Sequence, residues 1–195
     1  MDPVITRTGY EYLLYTREEA GRYIGRGADV VPFRAEDLTA IGPGRGALCH
    51  GAAYDISVAE LGGRHLRVRR TVEGRPVSAD EAARFVEEYV AGYSEERRAD
   101  VRSRFEQVTA ASHLPTHAGL AFDSDGNLWV EGYRPPRDTH LLRTWSVFDP
   151  DGRWLGDLDL PHGLRVDEIG KDYIAGVERD DVGVEYVRVY RVVKP

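Results

Sequence analysis

The sequence predicts an all-β, mainly antiparallel fold that one helical segment interrupts. Short stretches in which apolar and polar residues alternate recur along the chain, and this period of two is typical of half-buried strands. Turns rich in Gly, Pro and Asp separate them about every eight to twelve residues. Residues 78–108 instead show helical spacing. Such regular strands indicate a sandwich or an array of repeated sheets.

Length and charge narrow the range of architectures and partners. The chain has 195 residues, which suits one domain over 1–195 with a single core or one array. Its 33 acidic and 26 basic side chains give a formal charge of -7, which argues against nucleic acid as a partner. The single cysteine, Cys49, is expected to be a small buried residue.

Six strands are expected before the helical segment. Residues 10–27 contain two apolar stretches around a charged turn at 17–21, which predicts a hairpin. Residues 37–71 contain four stretches, with glycine-rich turns at 42–46 and 62–63. We therefore expect a four-stranded antiparallel sheet after the hairpin.

The segment 78–108 is expected to contain two helices. Ser78 and Glu81 match a capping box, in which each side chain bonds the backbone amide of the other residue. Apolar residues at helical spacing follow over 79–91, and Gly92 suits the end of that helix. A thinner apolar stripe predicts a second helix over 95–108.

Strands resume after a loop at 112–116. Four are expected between residues 118 and 161, and three more between 165 and 193. The sequence thus predicts groups of two, four, four and three strands.

One short phrase occurs twice among these strands, as FDSDGNLWV from Phe122 and FDPDGRWLG from Phe148. Asp can bond its own backbone in a tight reversal, and Gly can take a positive φ. We therefore interpret both as hairpin turns. The alternative is a calcium loop, but the first copy lacks a third ligand and Pro150 separates the acids of the second.

The run LPTHAGLAFDSDGNLWVEGY, with WSVFDPDGRWLGDLDLP after it, resembles the repeats of six-bladed β-propellers of the NHL and TolB-like kind, many of them uncharacterised bacterial proteins. The resemblance covers 114–161. It implies a partial blade and a first full blade over 10–71, a helical insertion at 78–108, a second full blade at 114–161 and a last blade at 165–193. The implied fold is a partial β-propeller of about three blades and a part.

A partial ring has consequences for partners. A blade takes about 40 to 45 residues and closed rings have about four to eight blades. The resemblance therefore implies either the carboxyl-terminal part of a larger propeller or self-association that completes a ring.

Four residues are candidates for a binding rim, because they stand near turns and loops and carry aromatic or cationic side chains. They are Tyr133, Arg134, Arg137 and Trp154. Trp129, in the middle of an apolar strand, is expected in the core.

Other patterns that suggest chemistry are weaker. His113 and His117 are four residues apart, but Pro115 lies between them and disfavours the helix that a zinc pair needs. The loop GPGRG at 42–46 lacks the Lys-Ser or Lys-Thr of a phosphate-binding loop. We predict no catalytic residue, no metal and no cofactor.

The resulting hypothesis is a non-enzymatic binding or scaffold module for a protein, peptide or glycan. The alternative, which rests on the resemblance alone, is a metal-dependent lactonase-like hydrolase. The first residues lack the apolar run of a signal peptide or membrane span. This predicts a cytoplasmic protein if Met1 is the true start, and an exported or periplasmic one if a longer form carries a signal peptide.

Overall fold

A computed structural model describes residues 12–19, 22–106, 110–135, 142–161, 163–180 and 182–193. Its strands are antiparallel and form groups of two, four, four and three in chain order, as the sequence predicts. The all-β, mainly antiparallel class is therefore confirmed. The propeller stays a prediction.

Thirteen strands lie in the described residues. The amino-terminal hairpin pairs β1 (Tyr12–Glu19) with β2 (Arg22–Val30). The first sheet has the order β3-β4-β5-β6, with strands at Asp37–Gly42, Arg45–His50, Asp55–Glu60 and His65–Arg69. The second sheet has the order β7-β8-β9-β10, with strands at His117–Phe122, Leu128–Gly132, Arg143–Phe148 and Trp154–Leu160. The third sheet has the order β11-β12-β13, with strands at Leu164–Ile169, Tyr173–Arg179 and Glu185–Arg191.

The helical segment contains α1 (Ala79–Ala91) and α2 (Glu95–Phe105). The capping box of Ser78 and Glu81 is present as predicted. The second helix ends before the predicted residue 108, and 107–109 lie outside the described residues. The helices have a small core of their own, made of Val90, Val101 and Phe105. No described helix is long and apolar enough to cross a bilayer.

One hairpin turn recurs four times in the described residues. In each copy the amide of the fourth residue, a glycine with φ between 81° and 91°, donates to the carbonyl of the first residue. The copies begin at Glu60, Asp123, Asp149 and Asp180. In the three aspartate copies one carboxylate oxygen also accepts from the amides two and four residues on. The repeated phrase is therefore a turn, as predicted, with a third copy at Asp180.

The three sheets stack in chain order and share two cores. The first core joins β3–β6 to one face of the second sheet, with Leu128, Val130 and Phe148. The second core lies on the other face, where Trp129 and Trp145 pack against the third sheet. Because neighbouring residues of a strand point to opposite faces, β8 contributes to both cores. Trp129 is 1% exposed, which confirms its predicted core position.

Candidate functional site

A groove of about 840 Å³ lies at one end of the first sheet. Its walls come from residues 33–35 before β3, from 50 and 52–55 at the connection of β4 to β5, from 69–72 and 74 at the end of β6, and from 111–116 before β7. In an antiparallel sheet the start of one strand lies beside the end of the next. Four segments that are distant in sequence therefore meet here.

Three arginines and two histidines line the groove, namely Arg34, His50, Arg69, Arg70 and His113. Asp55 is the one acidic residue in the described wall, and its two carboxylate oxygens accept from Arg67 and Arg69 at 2.6 to 3.2 Å. Acidic residues just outside this wall pair with the others: Glu36 with Arg34, Asp37 with His50 and Asp157 with Arg70, at 2.7, 3.0 and 3.5 Å. The described wall itself has more arginines than acids, although the whole chain has a charge of -7.

The loop that holds Arg34 has an unusual backbone. Phe33 adopts a φ of 55°, a left-handed conformation that is rare for a bulky residue. Its ring packs 5.3 Å from the ring of Phe85 on α1, and the Arg34 amide donates to the Val31 carbonyl. Arg34 is itself buried and bonds Glu36 at 2.7 Å. The helical segment therefore helps to position an arginine of the groove.

Arg70 connects the groove to the second sheet. Its guanidinium donates to the Ser146 hydroxyl at 2.9 Å and lies 5.9 Å from the ring centre of Tyr54 and 5.2 Å from that of Trp154. The Asp157 carboxylate accepts from Ser146 and from the Trp154 indole. Two aromatic rings and a hydrogen-bonded network thus hold this arginine in one orientation.

Beside the groove lies a buried chain of hydrogen bonds. The Thr116 hydroxyl donates to the Gly51 carbonyl at 3.1 Å and lies 2.7 Å from His117 Nδ1. The tautomer with its proton on Nδ1 fits these contacts. In it Nδ1 donates to the Thr116 hydroxyl, and Nε2 accepts from the Cys49 thiol, 2.9 Å away.

Both members of the Cys49–His117 pair are neutral at pH 7. Burial, with a smaller contribution from Asp37, raises the pKa of Cys49 to about 12. Burial, with a smaller contribution from His50, lowers the pKa of His117 to about 4. A nucleophilic cysteine needs the opposite shifts, toward thiolate and imidazolium. We therefore assign the pair a structural role in fixing residues 116–117 against Gly51.

Two of the predicted rim residues, Tyr133 and Trp154, lie beside the groove rather than in its wall. Tyr133 lines two smaller cavities, of about 460 and 240 Å³, which share Pro115 with the groove. Trp154 is 55% exposed and reaches the groove through Arg70. Arg134 is half-buried, and Arg137 lies outside the described residues.

The residues that could suggest metal binding form hydrogen bonds within the fold. His117 is buried on Cys49 and Thr116, whereas His113 is exposed beside Ser112. The Asp123 carboxylate accepts from the turn and from the side chains of Asn127 and Trp129. No group of three potential metal ligands occurs within the described part of the chain.

The glycine-rich stretch 42–46 forms the tip of the β3–β4 hairpin. Arg45 of this tip donates to Glu60 and to the Gly126 carbonyl, at 2.5 and 2.9 Å. The hairpin therefore tethers the first sheet to the second.

Sequence reasoning missed the groove because its residues are dispersed. Arg34, Tyr54 and Arg70 are separated by 16 to 20 residues, and Cys49 and His117 by 68. The available signal was the basic cluster of Arg67, Arg69 and Arg70 at the end of a predicted strand.

Comparison with known proteins leaves the function to be inferred from this geometry. No protein-family model matches the sequence, and no curated protein matches it.

Proposed function

We propose that the chain is a non-enzymatic binding module whose groove takes an acidic peptide segment of a partner protein. The observation that carries this proposal is the presence of three arginines, Arg34, Arg69 and Arg70, in one groove whose described wall holds a single acidic residue, Asp55. Each arginine already has one carboxylate partner, on Glu36, Asp55 and Asp157 respectively, and a guanidinium has donors for more than one acceptor. Arginine presents a planar fork of donors that fits a carboxylate. An arginine-rich groove attracts an acidic ligand, whereas the rest of the surface of this acidic protein repels it.

The spacing of the charges favours a ligand with several carboxylates. Arg34 precedes β3, whereas Arg70 follows β6, at the other side of the same four-stranded sheet. Neighbouring strands lie about 4.8 Å apart, so the two arginines are separated by about 14 Å across the sheet. One small carboxylate cannot bridge that distance, but an extended acidic peptide can.

We also propose that the three stacked sheets are blades of a partial β-propeller. The strand orders follow the chain in each sheet, and the second sheet is covered on both faces. The phrase that resembles propeller repeats forms the hairpins of that sheet. A crystal structure in which the sheets are not arranged around a common axis would contradict this part of the proposal.

The binding proposal is tested with a fluorescein-labelled octaglutamate peptide. We expect saturable binding by fluorescence anisotropy at low salt, with an affinity that falls as salt rises. Arg69→Gln and Arg70→Gln should each weaken binding by about threefold to tenfold. Arg165→Gln removes the same charge from the third sheet and should leave the affinity unchanged.

Two results would refute the proposal. One is the absence of saturable binding to octaglutamate at low salt. The other is an equal loss of affinity in Arg69→Gln and Arg165→Gln, because that result indicates attraction by net charge and not by the groove. A labelled octaglutamine peptide, which has the same length and no side-chain charge, serves as the ligand control and should not bind.

A further inference from the structure

The third sheet has an open edge at β13. The first and second sheets have four strands each, whereas the third has three, and β13 pairs with β12 on one side. In the described residues no strand pairs with its other side. An unpaired strand edge is a template for another strand.

The hydrogen bonds between β12 and β13 define which residues of β13 direct their backbone groups to the open edge. Asp180 N donates to the Val184 carbonyl, and Val192 N donates to the Asp172 carbonyl. Bonded and non-bonded positions alternate along an antiparallel pair, so the even-numbered residues of β13 bond β12. The odd-numbered residues direct their amides and carbonyls to the open edge.

The same odd-numbered residues form a self-complementary series, namely Glu185, Val187, Val189 and Arg191. Val187 is 79% exposed and Val189 is 66% exposed. The series begins with an acid, ends with a base and has valines between them. When two copies of the series are aligned antiparallel, each terminal residue lies opposite a residue of opposite charge, and each valine lies opposite a valine.

We propose that two copies of this chain pair through β13 as antiparallel strands around a two-fold axis at Arg188. Glu185 then lies opposite Arg191 of the partner subunit, and Val187 lies opposite Val189 of the partner subunit. Symmetry gives each contact twice. The product is a continuous six-stranded sheet with a strip of valines on one face.

This register joins the outward backbone groups of the two copies and places opposite charges together, with Glu185 also paired to Arg179 of its own chain at 2.5 Å. Pairing of odd-numbered with odd-numbered residues brings the outward amides and carbonyls together. Arg188 faces Arg188 of the partner subunit, but Glu178 of its own chain accepts from it at 2.9 Å. Cross-strand pairs of opposite charge and of β-branched residues both stabilise a sheet.

The last strands of the first and second sheets, β6 and β10, lack this complementarity. The strand β6 carries His65, Arg67 and Arg69 at its exposed positions, so a second copy would face like charges. The strand β10 has an irregular register at Trp154 and Gly156, followed by Asp157 and Asp159. Charges of one sign and bulges protect an edge from pairing.

The test is the mass in solution, by size exclusion with light scattering over a range of concentrations. We expect a dimer at twice 21.9 kDa that dissociates on dilution. Glu185→Arg should weaken dimerisation by at least about tenfold, because both ion pairs become repulsive. The double variant Glu185→Arg, Arg191→Glu should restore it, because the charges across the interface are exchanged while the contact of residue 185 with Arg179 of its own chain is the same in both variants.

Two further variants separate pairing from general charge and folding effects. Val189→Pro removes an outward amide and no bond to β12, so it should abolish the dimer and leave the sheet folded. Glu73→Arg makes the same charge change at an exposed residue outside the third sheet and should have no effect.

A wild-type chain that stays monomeric at high concentration would overturn the proposal, as would a dimer that Glu185→Arg and Val189→Pro leave intact. Failure of the octaglutamate experiment would not overturn the dimer proposal, since the groove lies on the first sheet and β13 on the third.

Discussion

The Trp129 indole nitrogen donates a hydrogen bond to Asp123 Oδ2 at 3.0 Å. Asp123 begins the β7–β8 hairpin turn, and Trp129 lies between the second and third sheets. One carboxylate, 1% exposed, therefore links the shape of a turn to the position of the largest buried side chain. The turn at Asp149 has the same backbone bonds with its carboxylate nearer the solvent.

Replacement of Asp123 by Ala should destabilise the fold far more than the matched change at Asp149. Asp123→Ala leaves a buried indole N–H and an Asn127 amide without their acceptor, at a cost of about 2 to 4 kcal/mol. Asp149→Ala removes turn bonds alone and should cost about 1 kcal/mol. Urea unfolding followed by tryptophan fluorescence measures both. Equal losses would mean that the bond to Trp129 contributes nothing to stability.

His117 should make the fold less stable in mild acid. Its pKa is lowered from 6.5 to about 4 by burial, so the unfolded chain binds a proton in a range where the folded chain does not. Its contribution is complete above pH 6.5 and is lost as the pH falls toward 4, by on the order of 3 kcal/mol. Unfolding free energies of wild type and His117→Gln, measured from pH 4 to 8, test this.

The His117→Gln variant should show a flatter pH dependence over that range. His65→Gln, a change at an exposed histidine, serves as the control and should follow the wild-type curve. If His117→Gln also keeps that curve, His117 does not cause the acid sensitivity.

The Cys49 thiol should be unreactive in the native protein. It is 5% exposed and its pKa is raised to about 12, so almost none of it is thiolate at pH 8. Ellman's reagent should label it slowly in buffer and rapidly after unfolding in guanidinium. Complete labelling of the folded chain within the mixing time would contradict the neutral Cys49–His117 pair.

Loss of the capping box should loosen the first helix without affecting the sheets. The Ser78 hydroxyl accepts from the Glu81 amide, and its loss by Ser78→Ala costs about 1 kcal/mol. Hydrogen exchange over 79–91 should become faster, because the helices have a separate core and can open locally. Ser94 begins α2 without a side-chain cap bond, so Ser94→Ala should leave exchange over 95–105 unchanged.

Features that depend on neighbouring residues were predictable from the sequence. The alternation of Ile56 and Val58 with polar residues predicts β5, and the spacing of Ser78 and Glu81 predicts the start of α1. The third aspartate turn was not recognisable as a copy of the repeated stretch, because Val182 stands where the other two aspartate copies have a second aspartate. The glycine is common to all four copies, the copy at Glu60 forms the same backbone bond without a first Asp, and the second Asp is dispensable.

Features that depend on tertiary proximity were not predictable in this way. Arg70 bonds Ser146, 76 residues away, and the pairing of Cys49 with His117 depends on the ends of two different sheets meeting. Strand periodicity identifies which faces are buried, but not which sheet covers them. The groove therefore emerges only when the sheets are stacked.

The alternation of Leu128, Trp129 and Val130 makes β8 a partition between two cores. Each sheet therefore makes most of its stabilising contacts with the sheets next to it, as in linear repeat proteins. A destabilising mutation in the third sheet should therefore disturb the packing of Trp129 more than the packing of Val58, on the far side of the second sheet. Such an architecture can gain or lose sheets beyond the second by duplication or deletion during evolution, while the groove, which the first and second sheets build together, keeps its geometry.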